Sequence, residues 1–295
     1  MKNAGVLIVV VCVMAVANFA SADTIQGINI DFVTIGNAGN GTDPATGNLY
    51  GAVSSSYRIG KYEVTNAQWN TFTDAAGVPT GNPSTAYDQS ASFTGAQQPT
   101  NYVSWYEAAQ FCNYLTSGQK YSGAYQFDQS GNFLGIDRVS SISTYGTTYV
   151  IPTEDEWYKA AYYKPNGSGY SLYANGTSTA PIAGVQSNYN NVIGQPWDVG
   201  VGNGTQEQNG TFDMMGNVWE WNETLLGSIT SRGIRGGYYY SSDSSYDYGL
   251  RSSTQSFNGQ NVQSYHDGFR VASVPEPATL LLLGLGAVIL RKHKM

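Results

Sequence analysis

Asp213-Met214-Met215-Gly216-Asn217-Val218-Trp219-Glu220-Trp221 is the stretch from which the fold of this chain is read. A Gly-Asn pair, which favours a turn, stands among methionines and tryptophans, with an acid on either side. A carboxylate among large apolar residues needs a partner when it is buried. Read as structure, Asp213 caps a turn and Glu220 pairs with an arginine such as Arg251 or Arg270. Trp219 reads as a core aromatic.

Upstream of this stretch, three capping boxes mark helix starts. In each, a Ser or Thr side chain and a Glu or Gln three residues on satisfy orphan backbone N–H groups. They are Thr65 with Gln68, Ser104 with Glu107, and Thr153 with Glu156. After Ser104, the residues Ala108, Phe111, Cys112 and Leu115 fall at helical spacing and make one apolar face. Strand-like pieces lie between: Tyr57 to Val64, a hairpin over Tyr125 to Leu134 turning at Ser130-Gly131-Asn132, and a closing strand over Gly268 to Ala272. Pro165 to Gly210 has no period, and a stretch that long needs tying down by packing or ions.

Six segments together resemble one family. They are Tyr62-Glu63-Val64-Thr65-Asn66, Pro99-Thr100-Asn101-Tyr102-Val103-Ser104-Trp105, Ile151-Pro152-Thr153-Glu154-Asp155-Glu156-Trp157, the stretch from Asp213 to Trp221, Arg235-Gly236-Gly237, and Gly268-Phe269-Arg270-Val271. In that order they resemble the sulfatase-modifying-factor or formylglycine-generating enzyme family. The resemblance implies an α+β, C-type-lectin-like fold with few helices, small antiparallel sheets and long ordered loops. Well-known members of the family oxidise a substrate cysteine to formylglycine. Others are non-haem-iron or sulfoxide-forming enzymes, or binding domains.

The same resemblance assigns candidate sites. The family's two copper-binding cysteines follow the Gly-Gly pair; here the first position falls on Ser241 and the second near Tyr246, while Tyr238 replaces a serine. Hydroxyls prefer hard cations and cannot reproduce a thiolate pair, so copper is not expected. Trp219 is the counterpart of the oxygen-pocket tryptophan. Tyr238, Tyr239, Tyr240 and Tyr246, with Tyr248, cluster where the family's cleft would lie, and tyrosines suit recognition of glycans or peptides. Asp213, Gly216, Val218 and Glu220 match positions that hold a structural calcium, and Asn188 and Tyr189 match part of a second. Ca²⁺ takes six to eight hard oxygens, from carboxylates and carbonyls alike.

Two other reactive residue types point to structure. Cys112, on the apolar face of the second helix, reads as a buried inert thiol. His266, beside Asp267 in a polar loop, reads as a surface residue, and one histidine cannot make a two-histidine iron site.

The ends of the chain differ from its middle. Lys2, an apolar-to-small run from Gly5 to Ala17 and Ala20-Ser21-Ala22 read as a signal peptide, cut by signal peptidase before Asp23. Val274-Pro275-Glu276-Pro277, an uncharged apolar segment over 278–290 and the basic Arg291-Lys292-His293-Lys294 resemble the PEP-CTERM sorting signal of Gram-negative bacteria. That resemblance implies transient inner-membrane anchoring, cleavage by an exosortase, and release to the cell surface or its polysaccharide matrix. The organisation expected is therefore signal peptide 1–22, one domain over 23–273, and sorting signal 274–295.

Composition narrows the function. Only 12% of the residues are charged, and outside the two signals acids outnumber bases. No basic stripe exists, so nucleic acid is not an expected partner. Removal of Cys12 with the signal peptide leaves Cys112 alone, so no intramolecular disulfide can form. The reading is an exported, non-catalytic binding or structural module with a glycan or peptide ligand. The alternative is a divergent enzyme of the formylglycine-generating or non-haem-iron oxidase family.

Overall fold

Each capping box starts a helix. In the computed structural model, which describes residues 21–88, 91–202, 207–240 and 247–274, the side chains of Thr65, Ser104 and Thr153 each accept the backbone N–H three residues on, and Gln68, Glu107 and Glu156 return the bond. In chain order the elements are β1 (Ser21–Ile25), β2 (Ile28–Ile35), β3 (Tyr57–Gly60), α1 (Asn66–Ala76), α2 (Trp105–Ser117), β4 (Tyr125–Phe127), β5 (Phe133–Ile136), α3 (Arg138–Tyr145), β6 (Thr148–Val150), α4 (Glu154–Tyr162), β7 (Trp219–Leu225), β8 (Ser231–Arg235), β9 (Ser256–Gly259), β10 (Asp267–Gly268) and β11 (Ala272–Val274). This is the α+β, C-type-lectin-like class the sequence resembles.

An antiparallel sheet in the order β1-β2-β3-β11-β6 joins both ends of the domain. Arg58 on β3 ties them further: Nη1 donates to Asp23 Oδ2 at 2.5 Å and Nη2 to Ser273 Oγ at 3.2 Å. A second sheet runs β10-β7-β8-β9, with β10 parallel to β7. The pair β4-β5 is the hairpin read at Ser130-Gly131-Asn132: the Asp128 carboxylate accepts the N–H groups of Ser130 and Asn132 and closes the turn.

The core lies around α2, buried from Trp105 to Leu115. Trp69 stacks on Phe111 with ring centroids 5.8 Å apart. The fully buried tryptophans each place their indole N–H on an acceptor, as burial requires: Trp105 on Asn222 O, Trp157 on Glu220 and Trp221 on Val103 O. The long segment before Asp213 is tied down by amide side chains. Asn209 donates to Ala160 O and Tyr163 O, Gln208 to Ala161 O, and Asn188 to Gln195 O.

Two expected strands are shorter or displaced. The strand expected over Tyr57 to Val64 stops at Gly60, whose carbonyl accepts Arg270 Nη1. The closing strand expected over Gly268 to Ala272 is split into β10 and β11, with Arg270 turned into the interior between them.

Candidate ligand-binding site

The stretch from Asp213 to Trp221 makes a turn inside the protein. Asp213, Gly216 and Asn217 have φ of 60°, 83° and 65°. Gly216 is obligatory, because a Cβ there would lie 2.2 Å from Asn188 O. Asn217 then donates to Glu63 Oε2 at 2.6 Å and accepts Trp197 N at 2.9 Å.

Below this turn, acids gather round one arginine. Arg270 is fully buried and donates to both oxygens of Glu220, to Gly60 O and to Phe212 O. Glu63 accepts Asn217 and Val218 N–H, and burial, then Asp213 and Glu220, push its carboxyl well above the ordinary range. Glu207 accepts Thr211 Oγ1 and Met214 N, and burial pushes it up to about 8. Glu63 lay in a quoted segment and Glu207 in the irregular loop, yet neither stood out in the sequence as a member of this centre. Nothing local marks a buried glutamate far along the chain from its arginine.

This geometry bears on the first expected calcium set. Glu220 Oε2 already accepts Trp157 Nε1 at 2.7 Å and Arg270 Nε at 2.6 Å, and Arg270 neutralises it. Asp213 Oδ1 accepts Trp197 Nε1 at 2.9 Å and Oδ2 accepts Gly200 N at 2.7 Å. Arg270 thus already serves as the counter-charge of Glu220, and the carboxylate oxygens of Asp213 and Glu220 are engaged in hydrogen bonds. Of the two arginines the sequence offered Glu220, Arg270 is the partner, and Arg251 pairs with Asp247 instead. The Asn188–Tyr189 set differs: Asn188 Oδ1 is buried and accepts no hydrogen bond. Among the described residues no group of three or more His, Cys, Asp or Glu side chains is placed to hold a metal ion.

Above the turn, aromatic side chains form a continuous face. Trp219 lies 6.4 Å from Tyr238, Tyr238 5.8 Å from Tyr239 and 4.8 Å from His266, and His266 4.9 Å from Tyr265. Tyr102 reaches Tyr265, Phe93 packs edge-on to Tyr239, and Tyr240 continues from Tyr239. Tyr239 is buried, while Tyr240 and Tyr265 are 44% and 39% exposed. Burial and the neighbouring tyrosines push the Tyr239 hydroxyl up to about 12. His266 is held by Asp267, Nδ1 to Oδ1 at 2.8 Å. Tyr102 and Phe93 both have φ of 54°, a region that bulky side chains adopt only under strain.

The structure thus gathers Tyr238, Tyr239 and Tyr240 with Trp219, and leaves Tyr248 exposed nearer Arg251. Ser241 and Tyr246 lie outside the described residues. Phe93, Tyr102, Tyr265 and His266 join from distant segments and carry no shared motif. Cys112 is fully buried, and burial raises its thiol well above the usual value.

Residues 32–274 match the sulfatase-modifying factor enzyme 1-like domain, and residues 273–292 match the PEP-CTERM protein-sorting motif. The chain therefore belongs to the sulfatase-modifying factor enzyme 1-like family, and its sorting motif marks it as an exported protein. It is 28% identical over 191 residues to the chaperone protein LppX of Paenibacillus barcinonensis, a match covering 57% of this chain and 61% of that protein. Among solved structures, variable protein 1 of Treponema denticola superposes with a TM-score of 0.60 at 22% identity, covering 88% of this chain and 100% of that one. PvdO of Pseudomonas aeruginosa gives 0.59 at 16% identity, covering 87% and 98%. CarF gives 0.54 at 21% identity, covering 84% and 99%. At these identities the fold is what is shared. Among the described residues no helix is long and apolar enough to cross a membrane, and the apolar segment 278–290 lies outside them.

Proposed function

We propose that this domain is a non-catalytic binding module of the cell surface or its polysaccharide matrix, and that the aromatic face around Tyr238, Tyr239 and Tyr265 takes its ligand. The observation that carries the reading is the backbone of Phe93 and Tyr102. Two large rings are held at φ of 54° within one face. Each such residue costs about 1–3 kcal/mol, and strain of this kind collects at functional sites. Glycine or asparagine would relieve it if packing were the only demand. Tyrosine rings offer broad amphipathic contact at low entropy cost, which suits a glycan or peptide.

Catalysis by copper is disfavoured by the thiol inventory. Residues 23–273 hold one cysteine, Cys112, and the formylglycine reaction needs two thiolates on a soft metal. Calcium belongs to the same reading as a structural ion at Asn188 and Tyr189, where one buried amide oxygen is free. Export is completed by signal peptidase before Asp23 and by an exosortase near Pro275-Glu276-Pro277.

A glycan and peptide array, probed with the wild-type protein and with Tyr265→Ala, tests the ligand face. Binding lost in the variant is expected; an array silent for the wild type, or a hit indifferent to Tyr265, counts against it. A sulfatase-type cysteine peptide incubated with the protein, copper and oxygen should stay unoxidised. Formylglycine formed over many turnovers and abolished by Cys112→Ala would establish the enzyme reading instead.

A further inference from the structure

Beside the aromatic face lies a cavity of about 230 Å³, walled by α1, the segment from Ala91 to Val103 and the start of α2. Tyr102 belongs to both: it lines the cavity and packs against Tyr265. Trp69, Asn70, Thr100 and Val103 contribute further wall.

Glu107 lies in the wall of the cavity and is 2% exposed. Its Oε2 accepts Ser104 N at 2.8 Å and Gln263 Nε2 at 2.8 Å. Oε1 accepts no hydrogen bond among the described residues. Burial, with a smaller contribution from Asp88, pushes this carboxyl up to about 8. Among the described residues no lysine, arginine or histidine lines the cavity. The volume falls below the roughly 300–1,000 Å³ of sites that enclose drug-sized molecules, so it suits one side chain.

Resting on the reading of the aromatic face as a ligand site, we propose that this cavity is its specificity pocket and takes a lysine or arginine side chain of a peptide. An anion would meet an acid and no counter-charge. A cation gains a charge-assisted hydrogen bond to Oε1. The rings of Trp69 and Tyr102 add attraction through their negative faces. Glu107 gives up its proton to solvent as the cation enters, so charge balances inside the pocket. Tyr265 and Tyr240 then cover the flanking peptide.

The test is calorimetry on the full-length chain in mild detergent, with tetralysine, fully acetylated tetralysine and a neutral oligosaccharide as probes. Tetralysine should bind with release of a proton, and acetylation should weaken it at least tenfold. Glu107→Gln should do the same while keeping the helix, because glutamine also closes a capping box. Failure of tetralysine to bind, or equal binding by the acetylated probe or by a folded Glu107→Gln variant, overturns the pocket. An oligosaccharide that binds through Tyr265 and ignores Glu107 also overturns it while leaving the aromatic face standing. Tetralysine that depends on Glu107 but ignores Tyr265→Ala upholds the pocket and removes the face.

Discussion

Arg270 and Glu220 are both shut off from solvent and joined at two points, Nε to Oε2 at 2.6 Å and Nη2 to Oε1 at 2.5 Å. Breaking a buried pair from one side leaves an uncompensated charge, at about 3–5 kcal/mol. Arg270→Met should lose stability on that scale in urea unfolding, since Glu220, Glu63 and Glu207 all feel this cation. A loss under about 1 kcal/mol would show that the arginine does not hold the centre together.

The same centre sets a pH dependence. Glu63 and Glu207 have folded values above the ordinary 4.5, Glu207 at about 8. Below about pH 4.5 both carboxyls are protonated folded or unfolded, so their contribution is fully present. It is lost as pH rises towards 8, because the unfolded chain ionises first. The urea midpoint should therefore fall between pH 5 and pH 8, and Glu207→Gln should flatten that fall. Lys159, pushed down to about 8 by burial, works the other way above that pH. A midpoint that rises from pH 5 to pH 8 would contradict the assignment.

Tyr102→Gly separates function from packing. The left-handed backbone costs a tyrosine about 1–2 kcal/mol that glycine does not lose. Lost contact with Tyr265 works against that gain, so stability should stay within about 1 kcal/mol of wild type. Array binding should drop nonetheless. A loss of about 3–5 kcal/mol, as for a core aromatic, would make Tyr102 a packing residue.

We propose Asn188, whose buried side-chain oxygen has no hydrogen-bond partner, as the calcium position rather than the acids. Added Ca²⁺ should raise the melting temperature and a chelator should reverse it, since an ion bound only by the native state stabilises it. Asn188→Ala should abolish that response, and Asp213→Asn, which suits the left-handed backbone there, should keep it. A melting curve indifferent to calcium would remove the ion from the fold.

The helices beginning after Thr65, Ser104 and Thr153 were legible because a capping box is a local signal. So was the hairpin turn at Ser130-Gly131-Asn132. Helix α3 was not: its N-cap Asp137 has no return bond, and its run Arg138–Tyr145 is short, rich in serine and buries only Ser141. The hairpin of β1 and β2 straddles the expected processing site and was hidden behind it. At the aromatic face, Tyr238 to Tyr240 announced themselves as a run. Tyr102 and Tyr265 did not, because they meet only after the chain has folded through both sheets. Glu220 left Arg251 and Arg270 open as partners, and only the folded chain brings Arg270 to it.

Arg58 has a consequence for how the chain could be cut. Asp23 and Ser273 lie within reach of one guanidinium, so the two ends of the domain come together in one sheet with β2 and β3 between them, a separation of about 14 Å. Bridging that gap with a short glycine-serine linker and opening the ring at the exposed turn between Asn166 and Gly167 should give a circular permutant that folds. The ring could thus be displayed on a scaffold from a point of choice, with its aromatic face turned away from the attachment.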